Sequence, residues 1–215
     1  SKESYLEKIK TTSNEIASAN YNQIPIDIEG RLYKTCKTYD DIPKDINGNS
    51  LFTEIKNYTD TADEGDDYLC SINYGVYNKE AYILDVLYTK KGMEITEPAM
   101  SKLLTESNVG VAEIESNNGG RGFARAVKRE LGELGNNYTS VKWFWQSKNK
   151  KARIISHSAW VQQHIYYPTN WKDRFPDFYK DVTKYQKEGK NIHDDCADSL
   201  TGISESFNKS SFTIL

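Results

Sequence analysis

Apolar and polar residues alternate with a period of two through the middle of the chain and then with a period near 3.6, which predicts a sheet followed by helices. The runs 52–60 (FTEIKNYTD), 68–76 (YLCSINYGV) and 81–89 (AYILDVLYT) read as three consecutive strands, the last two joined by a turn at Asn78 and Lys79. Tyr68, Cys70, Ile72 and Tyr74 fall on one side of the first hairpin strand, and Tyr82, Leu84, Val86 and Tyr88 on one side of the second. Residues 94–107 follow as a helix with Pro98 in its first turn, and 109–116 (VGVAEIES) as a buried strand. A helix over about 121–134 carries Phe123, Val127, Leu131 and Leu134 on one face and stops at Gly135; 140–147 (SVKWFWQS) is a further strand. Segments 149–166 and 175–189 read as helices, the first ending before Pro168 and the second stopped by Gly189. A last helix begins near Asp194, with Cys196, Leu200, Ile203 and Phe207 on one face. Three antiparallel strands, then alternating helix and strand, give an α/β fold: a mixed five-stranded sheet flanked by helices.

Residues 1–20 are helix-compatible but polar, Pro25 and Gly30 break the pattern, and 32–39 is strand-like before a turn-rich stretch. This places a connecting segment at 1–50 and the compact domain at 51–215. With 215 residues, 37% of them hydrophobic, the chain can bury one good core. A formal net charge of −3 provides no global basic field, so any polyanion has to be met locally. Cys36, Cys70 and Cys196 lack the paired spacing of a zinc site or disulfide framework. No apolar run approaches the ~20 residues that span a bilayer. The expectation is a soluble intracellular protein with no membrane partner.

Three sets of carboxylates stand at element ends. Asp60 ends the first strand, Glu115 ends the strand after the first helix, and Asp194, Asp195 and Asp198 open the last helix in the phrase HDDCADSL. The loop after Asp60 is acidic, but its third, fifth and twelfth positions are Ala62, Glu64 and Ser71, so it is no EF-hand; a solvated turn remains an alternative. On a helical wheel at about 100° per residue the three tail aspartates share one side, away from the apolar stripe. They read either as helix caps or as ligands. Glu113 shares a strand face with Glu115, and Asn117 to Gly120 is first of all a turn. Taken together, acids from two strand ends and a helix start are what a two-cation phosphodiesterase site requires, because Mg²⁺ prefers hard oxygen ligands.

The phrases ANYNQIPID, TDTADEGDDY, AEIESNNGGRGFAR and NIHDDCADSL together resemble the C-terminal nuclease domain of the large terminase subunit of tailed bacteriophages and prophages. The resemblance implies a ribonuclease H-like fold and a Mg²⁺- or Mn²⁺-dependent endonuclease that cuts concatemeric double-stranded viral DNA during genome packaging in the host cytoplasm. It implies Asp60 and Glu115 as the strand acids and a third acid within 193–198. Its partners would be an ATPase domain of the same full-length protein, the portal and the small terminase subunit. No G-x-x-x-x-G-K-[ST] phosphate loop occurs, so residues 1–50 read as the tail of a connection from a missing N-terminal ATPase domain. Among the tail acids, Asp194 is expected as the cap, Asp195 as the direct metal ligand, and Asp198, pointing further out, as a second ligand or water-holder.

Two basic groups read as DNA phosphate contacts or as solvated helix faces: Arg121, Arg125, Lys128 and Arg129 after Glu115, and Lys148, Lys150, Lys151 and Arg153 after the WFW strand. Trp143, Phe144 and Trp145 are expected in the core, His157 and His164 as structural, and His193 as a group behind the ligands. The same acids would serve a junction resolvase or transposase-like nuclease, and a non-catalytic packaging or assembly module would use them only as caps.

Overall fold

The structure, a computed structural model, describes residues 30–62, 67–117 and 119–210. The helix-compatible stretch 1–20 and the centre of the acidic loop after Asp60 lie outside these. The sheet has seven strands: β1 (Lys37–Tyr39), β2 (Glu54–Asp60), β3 (Leu69–Tyr77), β4 (Glu80–Thr89), β5 (Val111–Glu115), β6 (Ser140–Phe144) and β7 (Ile165–Pro168), ordered β1-β7-β4-β3-β2-β5-β6. Strands β2, β3 and β4 form the expected antiparallel meander, and β5 and β6 continue it in parallel on the β2 side. The other edge corrects the five-strand expectation, since β7 pairs parallel to β4 and β1 parallel to β7. Packing therefore shows no break at residue 50: Leu32 and Tyr33 already lie in the core.

Helices α1 (Met93–Glu106) and α2 (Gly120–Glu133) cover one face, where Met100, Leu104, Phe123, Val127 and Leu131 close over Leu69, Ala112 and Ile114. On the other face α3 (Lys150–His164), α5 (Pro176–Lys184) and α6 (Asp195–Ser210) pack Ile154, Val161, Phe178, Val182, Cys196, Leu200 and Ile203 onto Tyr58, Cys70, Ile72 and Tyr74. A short α4 (Trp171–Arg174) precedes α5. Burial of these side chains supplies the main driving force, on the order of 1.5–3 kcal/mol for each large one.

Local differences from the pattern have local causes. Leu84 has no partner between the pairs Asn73–Asp85 and Tyr74–Ile83, so β4 carries one extra residue there. The bulge turns Ala81 and Ile83 to the core with Val86, and Tyr82 goes instead to the rings of Tyr39, Phe52 and Tyr166. The Asn78–Lys79 turn is tight, with both residues in the left-handed region at φ 51° and 62°. Pro98 lies inside α1 rather than in its first turn, and without an N–H it cannot bond the carbonyl one turn back. Leu134 follows the end of α2 and is 53% exposed, while Gly135 turns the chain at φ 72° as expected. The helix read at 175–189 ends at Lys184, because Gln186 bridges to Arg31.

A polar seam fixes the register of β2 on β3. The Asn57 side-chain amide donates to Ser71 and Asn73, and the Thr59 hydroxyl donates to Asn57 and is bonded to the Ser71 hydroxyl. All four are buried, so a one-residue slip would leave them unpaired. Register in turn sets the position of Asp60, and Thr59 pairs with Ile114, which puts Asp60 beside Glu115 at the carboxyl ends of neighbouring parallel strands.

Candidate active site

Helix α6 brings its acids to those strand ends. It is buried all round from Asp195 to Ser206 rather than amphipathic, because the sheet lies on one side and α3 and α5 on the others. Its polar residues are accordingly paired: Ser199 donates to the Cys70 carbonyl, Ser206 bonds Tyr74, and Ser204 bonds the His157 ring. Asp194 sits just before the helix, and its carbonyl accepts the Asp198 N–H, the position of an N-cap. Its carboxylate reaches elsewhere.

The side chains converge on one ammonium. Lys150 Nζ lies 2.9 Å from Asp194, 3.2 Å from Asp60, 3.4 Å from Asp195 and 3.5 Å from Asp198. Behind it the buried Arg153 donates to Asp198 at 2.8 Å and grips Glu205 through Nε and Nη2, while Nη2 stands 3.7 Å from Glu115. Glu115 also accepts the Tyr58 hydroxyl, and Asp195 accepts the Tyr68 backbone N–H at 3.2 Å. His193 packs edge-on to the Tyr68 ring, one step removed from the carboxylates.

Several sequence-based expectations change here. Lys150 and Arg153 turn their charge inward and are no part of an exposed basic surface. Asp198 does not point outward; it is 3% exposed. Arg121, Arg125, Lys128 and Arg129 are exposed along α2, as are Lys148 and Lys151 before and within the first turn of α3. Phe144 packs against the core, but Trp143 and Trp145 are exposed, the first on β6 at the edge of the sheet and the second just beyond its end. Tyr58 and Glu205 join the site beyond the sequence-based set, although both carry a signal: Tyr58 is two residues before Asp60 on one strand face, and Glu205 is two helical turns after Asp198.

Electrostatics mark the cluster as short of positive charge. Six carboxylates (Asp60, Glu115, Asp194, Asp195, Asp198 and Glu205) face two cations, Lys150 and Arg153. Burial pushes Asp60 up to about 7, its neighbours Asp198 and Asp195 adding to the rise against the pull of Lys150. Burial likewise takes Asp198 to about 7 despite Lys150 and Arg153. Glu115 is raised by burial and by Asp60, and Asp195 by burial. Burial opposes the charge on Lys150, yet Asp60, Asp198, Asp194 and Asp195 outweigh it and hold the ammonium protonated.

A family model described as the terminase RNase H-like domain matches residues 57–205, which includes every one of these acids. The chain belongs to that family. Among solved structures, a mutant nuclease domain of the large terminase subunit gp2 of bacterial virus Sf6, with manganese and β-thujaplicinol, aligns with a TM-score of 0.50 at 9% identity, over 72% of this chain and 89% of that one. The human cytomegalovirus terminase nuclease domain, Mn-soaked and inhibitor-bound, aligns with a TM-score of 0.54 at 11% identity, over 76% and 88%. The fowlpox virus resolvase with Holliday junction DNA reaches 0.48 at 16% identity, over 73% and 99%. No match was found among curated protein sequences. At such identities the two terminase nuclease domains bear on the fold alone, and they agree with the RNase H-like fold of the family.

As the side chains stand, among the described residues no three His, Cys, Asp or Glu groups are arranged to hold a metal ion. Lys150 takes the point where Asp60, Asp194, Asp195 and Asp198 meet. The donor set still fits a hard divalent cation: it is all oxygen and under-neutralised, and the ammonium is itself a stand-in cation. Among the described residues, no helix is long and apolar enough to cross a membrane.

Proposed function

We propose that this terminase-family domain is a metal-dependent endonuclease that cuts concatemeric double-stranded viral DNA during genome packaging by a phage or prophage, in the host cytoplasm. The reading rests on one observation, the gathering of Asp60, Asp195 and Asp198 around the Lys150 ammonium at the carboxyl end of β2, with Glu115 beside Asp60 at the end of β5 and facing Arg153. Those four acids, with Asp194 at the rim, would hold Mg²⁺ or Mn²⁺ as a two-ion site. When bound, such ions supply an activated water and offset the charge that builds on phosphorus and the leaving oxygen.

The chain's own residues prepare that chemistry. The paired strand ends hold Asp60 and Glu115 side by side, and Tyr58, whose hydroxyl burial and Glu115 keep protonated, fixes the Glu115 carboxylate. Arg153 anchors Asp198 through one oxygen and leaves the other facing the centre. Helix α6 excludes water from the inner side of the cluster, where solvent would otherwise screen the charges. Arg121, Arg125, Lys128, Lys148 and Lys151 would position DNA phosphates without reading bases, and Arg129 less so, since it pairs with Glu130 and Glu133. His193 would steady Tyr68 behind Asp195. An ATPase domain joined on the N-terminal side of this domain, the portal and the small terminase subunit would be its partners.

Nicking of supercoiled plasmid with Mn²⁺, with Mg²⁺ and with chelator tests the proposal. Cutting that appears only with a divalent ion and disappears in Asp60→Asn is the expected result. A wild-type protein that binds neither ion and leaves plasmid intact would reduce the acids to structural groups.

A further inference from the structure

The acid cluster leaves unexplained what lies on the far side of Glu205. That carboxylate also lines a cleft of about 420 Å³ together with Phe144, Trp145, Gln146, Lys148 and His157. One guanidinium, that of Arg153, separates the cleft from Asp198. Trp145 lines it while 68% exposed.

The tryptophan stands on a stiff support. The Asn117 side chain accepts the Gln146 N–H at 2.9 Å and donates to the Gln146 carbonyl at 2.7 Å, and the Ser116 N–H bonds the Phe144 carbonyl. The loop carrying Trp145 is thereby tied to the loop between Glu115 and α2, so the backbone that presents the indole keeps a fixed position relative to the carboxylates. Polar groups in the cleft are also oriented, with Gln146 donating to Glu205 and the His157 ring bonded to Ser204. Arg153 holds Glu205 on the inner side of the cleft, and Lys148 and the exposed Lys151 add positive charge at the entrance. A flat aromatic wall, edge-directed polar groups and a basic rim suit a planar heterocycle carrying an anion. The volume suits one small molecule and excludes a duplex.

We propose that this cleft takes a single unstacked nucleobase of the DNA strand, stacked on Trp145 with its phosphate against Lys148, next to the phosphate addressed by Asp60 and Asp198. The proposal rests on the nuclease reading above. It makes the domain selective for DNA that yields a base cheaply, since unpairing costs a few kcal/mol in intact duplex and least where a nucleotide is already unpaired.

The test uses binding in chelator, so that it does not depend on cutting. A labelled duplex and the same duplex with one unpaired nucleotide are titrated with wild type, Trp145→Ala, Trp145→Phe and Lys148→Ala, each checked for an unchanged Tm. Wild type should prefer the unpaired substrate by about 10-fold, the scale of one base stack on an aromatic ring. Trp145→Ala should lose that preference, Trp145→Phe should keep part of it, and Lys148→Ala should weaken both substrates alike. Trp145→Ala that matches wild type on both substrates, or weakens both equally, overturns the proposal. Plasmid nicking by wild type with Mn²⁺ is scored separately. Nicking with an indifferent Trp145 rejects the cleft alone, and Trp145-dependent binding without nicking rejects the nuclease reading and keeps the cleft's ligand.

Discussion

Gly202 of α6 lies directly against the ring of Tyr58, so closely that a methyl group at this position would overlap it. The missing side chain lets the helix approach the sheet one turn beyond Asp198, and the ring it admits carries the hydroxyl that holds Glu115. Gly202→Ala should therefore destabilise the domain by about 1–3 kcal/mol through overpacking, despite the better helix propensity of alanine. It should also reduce nicking, because the displaced ring releases Glu115. Urea denaturation and plasmid nicking of the variant measure the two effects; wild-type values in both would show that the helix shifts freely.

Asp60→Asn removes a buried charge that the site leaves poorly compensated. In the absence of metal its stability should equal or exceed that of wild type, whereas Mn²⁺-dependent nicking should fall by about 100-fold or more, corresponding to a few kcal/mol of lost transition-state stabilisation. Calorimetric melting with chelator and a nicking time course provide the comparison. Near-normal nicking by Asp60→Asn would remove this residue from the chemistry.

The central sheet and the acid set were readable because each rests on a short-range rule. Period-two alternation marked β3 and β4, short apolar runs marked β2, β5 and β6, and strand-end or helix-start positions singled out Asp60, Glu115, Asp195 and Asp198. The edge strands were not readable for the opposite reason. IYYP at β7 is four residues long, continues a helical pattern and ends in proline, and it is strand only because β1 and β4 flank it. Arg153 and Lys150 show a related limit. In sequence they belong to a run of cations with Lys148 and Lys151, and only the arrival of α6 from forty-odd residues away decides which of the run are drawn inward. Trp143 and Trp145 read as core because nothing local marks β6 as an edge.

The raised acids predict how stability follows pH. Asp60 and Asp198 sit at about 7 in the folded chain against an ordinary value of 3.8, so the folded state binds their protons more tightly than the unfolded one. Their contribution is greatest below about pH 4 and is lost as pH rises through 7. Metal-free denaturation curves should therefore show stability declining between about pH 4 and pH 8, apart from other groups, and saturating Mn²⁺ should flatten the decline. In Asp60→Asn the slope should shrink even without metal; an unchanged slope would show that these acids are ionised throughout.

DNA binding should be strongly salt-dependent, because contacts through Arg121, Arg125, Lys128, Lys148 and Lys151 would release counterions rather than read sequence. Five such contacts correspond to a slope of about −4 to −5 in log K against log salt for a duplex. Arg125→Ala, exposed on α2, should reduce that slope by about one without changing Tm. Anisotropy titrations between low and physiological salt provide the slope, and a flat line would exclude these residues as phosphate contacts.

Asp195 and Asp198 should differ in how strongly they hold a cation, for a reason visible in their second oxygens. Each directs one oxygen toward Lys150, at 3.4 Å and 3.5 Å, and anchors the other, Asp195 on the neutral Tyr68 N–H and Asp198 on the charged Arg153 guanidinium. A full positive charge 2.8 Å from Asp198 draws down the field that its free oxygen can offer a metal, whereas a backbone amide takes less from Asp195. Asp195→Asn should accordingly cost more Mn²⁺ affinity than Asp198→Asn when both are measured by titration calorimetry at one pH above 7, where wild-type Asp198 has given up its proton. A larger loss in Asp198→Asn would mean that Arg153 orients that carboxylate more than it weakens it, and equal wild-type affinity in both variants would mean that α6 supplies no ligand.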